Sequence, residues 1–205
     1  MVIITPDIIG QKEIELIHSI SWNDKLILHL RSSVYQEDVI ADILSDMDHR
    51  IYPFLAVHNH IDLLYDQPLL NRIHLSEYNS ALIAQIPAAS PWTISASVHD
   101  IATFNGLDQR FSYAFISPVY PSISKKGYKQ TIDFKMENIR KRTNYCTQLI
   151  ALGGINDQNI YELTMMGYDD VAICGHLWQS PVPRDTLANL HIAQHTGHRK
   201  DQINI

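Results

Sequence analysis

The sequence predicts a single-domain (β/α)8 barrel, and three observations carry that prediction. Eight short apolar segments of strand character alternate with eight segments of helical spacing, the order that builds a parallel sheet. Polar residues collect just after the apolar segments, where such a barrel keeps its functional face. The last two segments each run into glycine, as IALGGIN (150–156) and VAICG (171–175). An open doubly wound sheet is the competing arrangement, and 205 residues is short for a closed barrel.

Taken in order, Val2–Thr5 is a buried strand stopped by Pro6, which has no N–H for a ladder. Lys12–Ile20 sets Ile14, Ile17 and Ile20 on one helical stripe, and Lys25–Leu30 is the second strand. Glu37–Met47 is an amphipathic helix with Val39, Ile40, Ile43, Leu44 and Met47 inward. Tyr52–Val57 reads as the third strand and Ile61–Tyr65 as at most two helical turns. Arg72–Leu75 is the fourth strand, Ser80–Gln85 a short helix, Trp92–Val98 the fifth strand and Ile101–Leu107 its helix. Tyr113–Val119 is the sixth strand, followed by a long loop, Tyr120–Thr131, and a helix over Phe134–Thr143. Leu149–Leu152 and Val171–Cys174 are the last strands, with helices at Asn159–Met166 and Thr186–Gln194. The barrel is expected over residues 1–194, with 195–205 a polar tail.

Composition narrows the function. Hydrophobic residues are 45% and charged residues 19%, the balance of a folded globular chain. A net charge of -6 counts against a nucleic-acid partner gripped through its phosphates. No apolar run approaches the roughly 20 residues of a membrane span. The first residues lead directly into a strand without the pattern of a secretory leader, so a cytoplasmic location is expected. Cys146 and Cys174 show no paired-cysteine metal spacing.

The glycine turns suggest an anion site. Gly153 and Gly154 let the backbone approach a ligand closely. Asn156 or Asp157 can cap the helix that follows, whose N-terminal N–H groups then point back at the turn. The same logic applies at Cys174-Gly175, and two adjacent turns of this kind can hold one phosphate between them. His29 and Arg31, His58 and Asn59, His74, Ser97 and His99, Ser117, and His176 complete the polar set at the strand ends. His74 and His176, taken singly, read as ordinary satisfied polar residues, whereas the set as a whole points to a shared pocket. A zinc site from His29, His58 and His60 is conceivable, although no helical paired-histidine motif supports it. The loop SPVYPSISKKGY (117–128) brings Ser122, Ser124 and Lys125, groups suited to folding over an anion.

These motifs together resemble the thiamine phosphate synthase/TenI family. The likeness rests on HLR at strand two, SVH at strand five, SPVYPSISKKG, IALGGIN and VAICG, in the right order from Val2 to Trp178. The resemblance implies a barrel that binds the phosphate of the thiazole precursor of thiamin, through backbone N–H groups of Gly154, Ile173 and Cys174 beside Gly153 and Gly175. In the synthases the pyrimidine diphosphate loses diphosphate, and the thiazole nitrogen captures the resulting carbocation. Ser122, Ser124 and Lys125 match the loop that meets the diphosphate, and Ser97 matches the strand-five serine.

The departures matter equally. Ser32 and Ser33 stand where the synthases continue with an acidic residue and a lysine. His58-Asn59 replaces the Asn-Asp pair, and Asn79 replaces the second magnesium aspartate. Mg2+ prefers hard anionic oxygens, so this half of the site is weakened. The resemblance therefore implies a TenI-like thiazole tautomerase, with His99 as acid/base assisted by Ser97 and Lys125. It implies no metal or other cofactor, and a small-molecule partner, thiazole phosphate, bound also by His29, Arg31, His58 and Asn59. Homo-oligomerisation is compatible with this reading. The alternatives are a Mg2+-dependent thiamine phosphate synthase and a non-catalytic binder of a phosphometabolite.

Overall fold

The computed structural model of the chain describes residues 1–31, 37–120 and 139–196. At its centre is a closed ring of eight parallel strands in sequence order. These are β1 (Val2–Ile4), β2 (Ile27–Leu30), β3 (Leu55–His58), β4 (Arg72–Leu75), β5 (Thr93–Val98), β6 (Phe111–Ile116), β7 (Gln148–Leu152) and β8 (Asp170–Ile173). Val2 pairs with Ile27 on one side and Ala172 on the other, so β1 closes the ring. Closure leaves no sheet edge and excludes the open doubly wound sheet. Outside lie α1 (Gln11–Ser19), α2 (Glu37–Ser45), α3 (Asp62–Asp66), α4 (Ile101–Asn105), α5 (Ile160–Met166), α6 (Gly175–Trp178) and α7 (Pro183–Thr196).

The two-residue period of each strand sorts its side chains between two compartments. Leu28 and Leu30, Val57, and Ile73 and Leu75 point outward and pack with Ile17, Ile40, Leu44, Leu163 and Leu190 of the helices. The inward residues of β1, β6, β7 and β8 are apolar: Val2, Ile4, Tyr113, Phe115, Ile150 and Ala172 form one buried cluster, with Leu152 and Cys174 against it. The inward positions of β2 to β5 include His29, His58, His74 and Ser95, all buried, beside the apolar Ile27 and Ala56. The barrel interior is thus apolar on one side and mostly polar on the other.

Some element boundaries differ from the sequence pattern, for local reasons. β3 begins at Leu55, not Tyr52, because His49–Phe54 is a 3₁₀ segment. Asp48 accepts the Arg50 N–H at its start, and Pro53 lies within it, where its missing N–H could serve no ladder. The Tyr52 hydroxyl donates to the Leu44 carbonyl at 2.7 Å, which fixes the segment against α2. β6 stops at Ile116 rather than Val119, since Ser117-Pro118 follows with a cis peptide bond. The segment after β4 is 3₁₀ from Glu77 to Gln85, and the short helix α6 was not anticipated. α7 runs to Thr196, past the expected barrel boundary. Most of the expected loop and helix between Tyr120 and Thr143 lies outside the described residues, and Arg142 and Thr143 are not helical. No helix among the described residues is long and apolar enough to cross a membrane.

Candidate active site

The C-terminal strand ends frame a cavity of about 250 Å³ lined by Ile4, Arg31, His58, Asn59, His74, Ser76, Ser97, Phe115 and Leu152. Its polar wall is a hydrogen-bonded column of side chains. His29 Nδ1 lies 3.0 Å from His58 Nε2, and His29 Nε2 lies 2.7 Å from the Tyr113 hydroxyl. His74 Nδ1 meets Ser95 Oγ at 2.9 Å and His74 Nε2 meets Ser97 Oγ at 2.8 Å. The rings of His58 and His74 pack with centroids 4.3 Å apart. Burial holds all three imidazoles below the usual histidine range. For His29 the charges of His74 and Arg72 add to burial, and for His58 those of His74, His29, Arg31 and His60 do so. His74 is lowered to about 3 by burial and then by Arg31. The three rings are therefore neutral near pH 7. Burial also pushes the Tyr113 hydroxyl up to about 12.

Around this column the backbone is pinned by amides. Asn59 has φ 63°, a conformation that asparagine tolerates better than most residues. Its N–H donates to the His74 carbonyl at 2.9 Å, and its Oδ1 accepts the Ser76 N–H at 2.9 Å. Asn79 Nδ2 donates to Ser76 Oγ at 3.0 Å. Asn59 and Asn79 thus both engage Ser76. Arg31 reaches Asp7 at 3.2 Å through Nη2, while its buried Nε has no acceptor among the described residues.

The glycine turns adjoin this cavity through Leu152. Gly153 has φ 105° and Gly154 φ 63°, both in the left-handed region that favours glycine. A Cβ on Gly153 would come within 2.9 Å of Pro118 Cα. Two hydrogen bonds tie the same corner to the end of β6: Val119 N–H to the Leu152 carbonyl (2.9 Å) and Tyr120 N–H to the Gly153 carbonyl (3.2 Å). Asn156 Oδ1 accepts the Gln158 N–H at 2.9 Å, and a turn leads into α5. Ile173 ends β8 opposite Ile3, Cys174 precedes α6, and Gly175 opens it. Burial raises the Cys174 thiol above its ordinary range. Among the described residues, the N–H groups of Gly154, Gly175 and His176 meet no acceptor.

The sequence-expected residues thus divide into groups. Arg31, His58, Asn59 and Ser97 share the cavity, with His29 directly beneath His58. His99 follows β5 but is not among the lining residues. Its Nδ1 lies 2.6 Å from the Ser117 carbonyl, and its Nε2 lies 3.2 Å from Glu77 Oε2. His60 turns to Glu37 at 3.4 Å, and His176 to Asp157 at 3.5 Å. Ser122, Ser124 and Lys125, with Ser32 and Ser33, lie outside the described residues. Sequence reasoning missed His74 as a pocket residue, and with it Ser76, Ser95, Tyr113 and Phe115. Strand parity held the signal, since His74 pairs in register with His58 and with Ser95 on the next strand.

A parallel (β/α)8 barrel with a polar cavity at its C-terminal strand ends is the layout in which small molecules bind among the βα loops. Within that class the family model for thiamine monophosphate synthase, TMP-TENI, matches residues 48–177, more than half of the chain, and the chain belongs to this family. No curated protein matches the sequence. Among solved structures, thiamine phosphate pyrophosphorylase from Bacteroides thetaiotaomicron is 21% identical with a TM-score of 0.68, covering 95% of this chain and 93% of its own. The Pyrococcus furiosus thiamine phosphate pyrophosphorylase is 15% identical with a TM-score of 0.71, covering 94% of each chain. A 3-hexulose-6-phosphate synthase is 10% identical with a TM-score of 0.64, covering 94% of this chain and 98% of its own. At these identities the structural likeness speaks for the fold alone.

Proposed function

We propose that this member of the family binds a phosphorylated thiazole and catalyses Mg2+-independent proton transfer on it, as a TenI-like thiazole tautomerase. The observation that carries the reading is the cavity lining. It offers one guanidinium, neutral imidazoles, hydroxyls and an amide, with no carboxylate among the described lining residues. Such a wall suits an anionic ligand and lacks the hard anionic oxygens that Mg2+ takes. The phosphate is assigned to the turns at Gly153-Gly154 and Cys174-Gly175, where N–H groups meet no acceptor among the described residues, with the Ile173 and Cys174 amides beside them. Arg31 is the nearest cation of the described lining. His99 is the proposed acid/base, with its ring oriented by the Ser117 carbonyl and Glu77. Ser97, on His74, is proposed to hold the thiazole, and Ser122, Ser124 and Lys125 to bind its anionic groups.

The test is turnover of two substrates by the same purified protein, with and without Mg2+. Tautomerisation of the thiazole carboxylate phosphate at equal rates in both conditions is expected. Mg2+-dependent joining of the pyrimidine diphosphate to thiazole phosphate would make the chain a synthase. Binding of thiazole phosphate with no turnover of either substrate would make it a non-catalytic binder. Equal affinity for the phosphorylated and dephosphorylated thiazole would remove the phosphate assignment.

A further inference from the structure

We propose that His29, His58 and His74 form a three-histidine site for a divalent transition metal, Zn2+ foremost, with its fourth position open to the cavity. One residue comes from each of three neighbouring strands, β2, β3 and β4, and one ring nitrogen from each lies within 4.8 Å of the others. Two of these nitrogens, His29 Nδ1 and His58 Nε2, are already 3.0 Å apart. A tetrahedral ion with Zn–N bonds of about 2.0–2.1 Å separates its ligands by roughly 3.3 Å. A small opening of the first pair and a rotation of the third ring therefore complete three corners.

The surroundings are those a metal site requires. A ligating histidine is oriented by a hydrogen bond at its other ring nitrogen. His29 Nε2 has the Tyr113 hydroxyl at 2.7 Å, and His74 Nδ1 has Ser95 Oγ at 2.9 Å. Tyr113 and Ser95 are paired in register one layer below Ser97 and Phe115. The partners on β5 and β6 thus fix two rings from beneath. His29 Nδ1, His58 Nε2 and His74 Nε2 are left for the ion, which displaces Ser97 from His74. An all-imidazole set selects a borderline ion such as Zn2+ over Mg2+ or Ca2+. His58 and His74 both line the cavity, so the fourth position takes water or a ligand atom there.

The site does not depend on which substrate the cavity takes, and it is compatible with Mg2+-independent turnover. The test is a titration of the full chain, freed of metal by chelation and dialysis, with Co2+ followed by Zn2+. One equivalent of Co2+ should give the intense visible bands of a tetrahedral ion, and Zn2+ should abolish them. His58→Gln and His74→Gln should each lose stoichiometric binding. Tyr113→Phe, which removes the hydroxyl from His29 and from Ser95, should weaken it about 10–100-fold. His191 and His195 stack on α7 with centroids 4.8 Å apart, so a His191→Gln/His195→Gln variant is the control and should bind normally. X-ray absorption of the zinc-loaded wild-type protein needs no variant to fold, and should show three imidazole nitrogens at about 2.0–2.1 Å. Absence of tetrahedral Co2+ bands, an oxygen-only shell, or loss of binding in the α7 variant would overturn the proposal.

Discussion

His99 is held from both sides, with Nδ1 2.6 Å from the Ser117 carbonyl and Nε2 3.2 Å from Glu77 Oε2. Both neighbours are hydrogen-bond acceptors, and Glu77 thus stands where it can orient the ring of the proposed acid/base. His99→Ala should lower tautomerase turnover by about 10²–10⁴-fold, with thiazole phosphate affinity little changed. Glu77→Gln should give a smaller loss of kcat. Steady-state kinetics read both, and an unchanged rate in His99→Ala would assign the proton to another group.

Arg31 carries the cationic part of the described lining. Its Nε has no acceptor among the described residues, while its Nη2 reaches Asp7. A hydrogen bond to a charged group contributes about 1.5–3 kcal/mol. Arg31→Gln should therefore weaken thiazole phosphate binding by roughly 10–100-fold and leave the dephosphorylated ligand almost unaffected. Calorimetry with the two ligands makes the comparison.

Gly153 and Gly167 both have positive φ, 105° and 101°, yet they differ in surroundings. At Gly153 an added Cβ meets Pro118 backbone at 2.9 Å, whereas at Gly167, the C-cap of α5, it meets only Ile139 Cγ2 at 3.6 Å. Gly167→Ala should cost about 1 kcal/mol of stability. Gly153→Ala should cost more, about 2–4 kcal/mol, because overpacking adds to the strain. Urea unfolding of the two variants tests the order.

Asn59 and Asn79 can be returned to carboxylates without rebuilding the backbone. Aspartate tolerates the positive φ of residue 59, and a carboxylate oxygen still accepts the Ser76 N–H. At residue 79 the change loses the donor to Ser76 Oγ, but the hydroxyl can turn and donate instead. The Asn59→Asp/Asn79→Asp variant should bind Mg2+ more tightly than the wild-type protein, as added hard oxygen ligands imply. Mg2+ titration by calorimetry decides it.

The barrel was legible because its strands keep their period. Arg72–Leu75 is a strand to the residue, and the glycine turns close β7 and β8 where the sequence put them. The start of β3 was not legible, because Tyr52-Pro53-Phe54 is as apolar as a strand and only the Asp48 cap and the Tyr52–Leu44 contact bend it into 3₁₀. The histidine set was partly legible. His29 and His58 stand together, but His60, close to His58 in sequence, turns to Glu37, and His74 fills the space instead. Neighbourhood across strands depends on register, and register is a property of the closed ring rather than of any one segment. Parity marks which residues face inward, and the register of the closed ring decides which of them meet.

The divided interior has a stereochemical consequence. Ile4 and Leu152 bring apolar surface to the cavity, while Arg31, His58, Asn59, His74 and Ser97 bring polar groups, with Phe115 stacked on His74 at 5.0 Å. A flat heteroaromatic ring lodged with one face to Ile4 and Leu152 turns its other face toward hydrogen-bonding groups. Its two faces cease to be equivalent before any chemistry begins. A proton supplied from one side then arrives on one face only, so handedness at a newly protonated carbon follows from how the strand ends divide apolar from polar side chains.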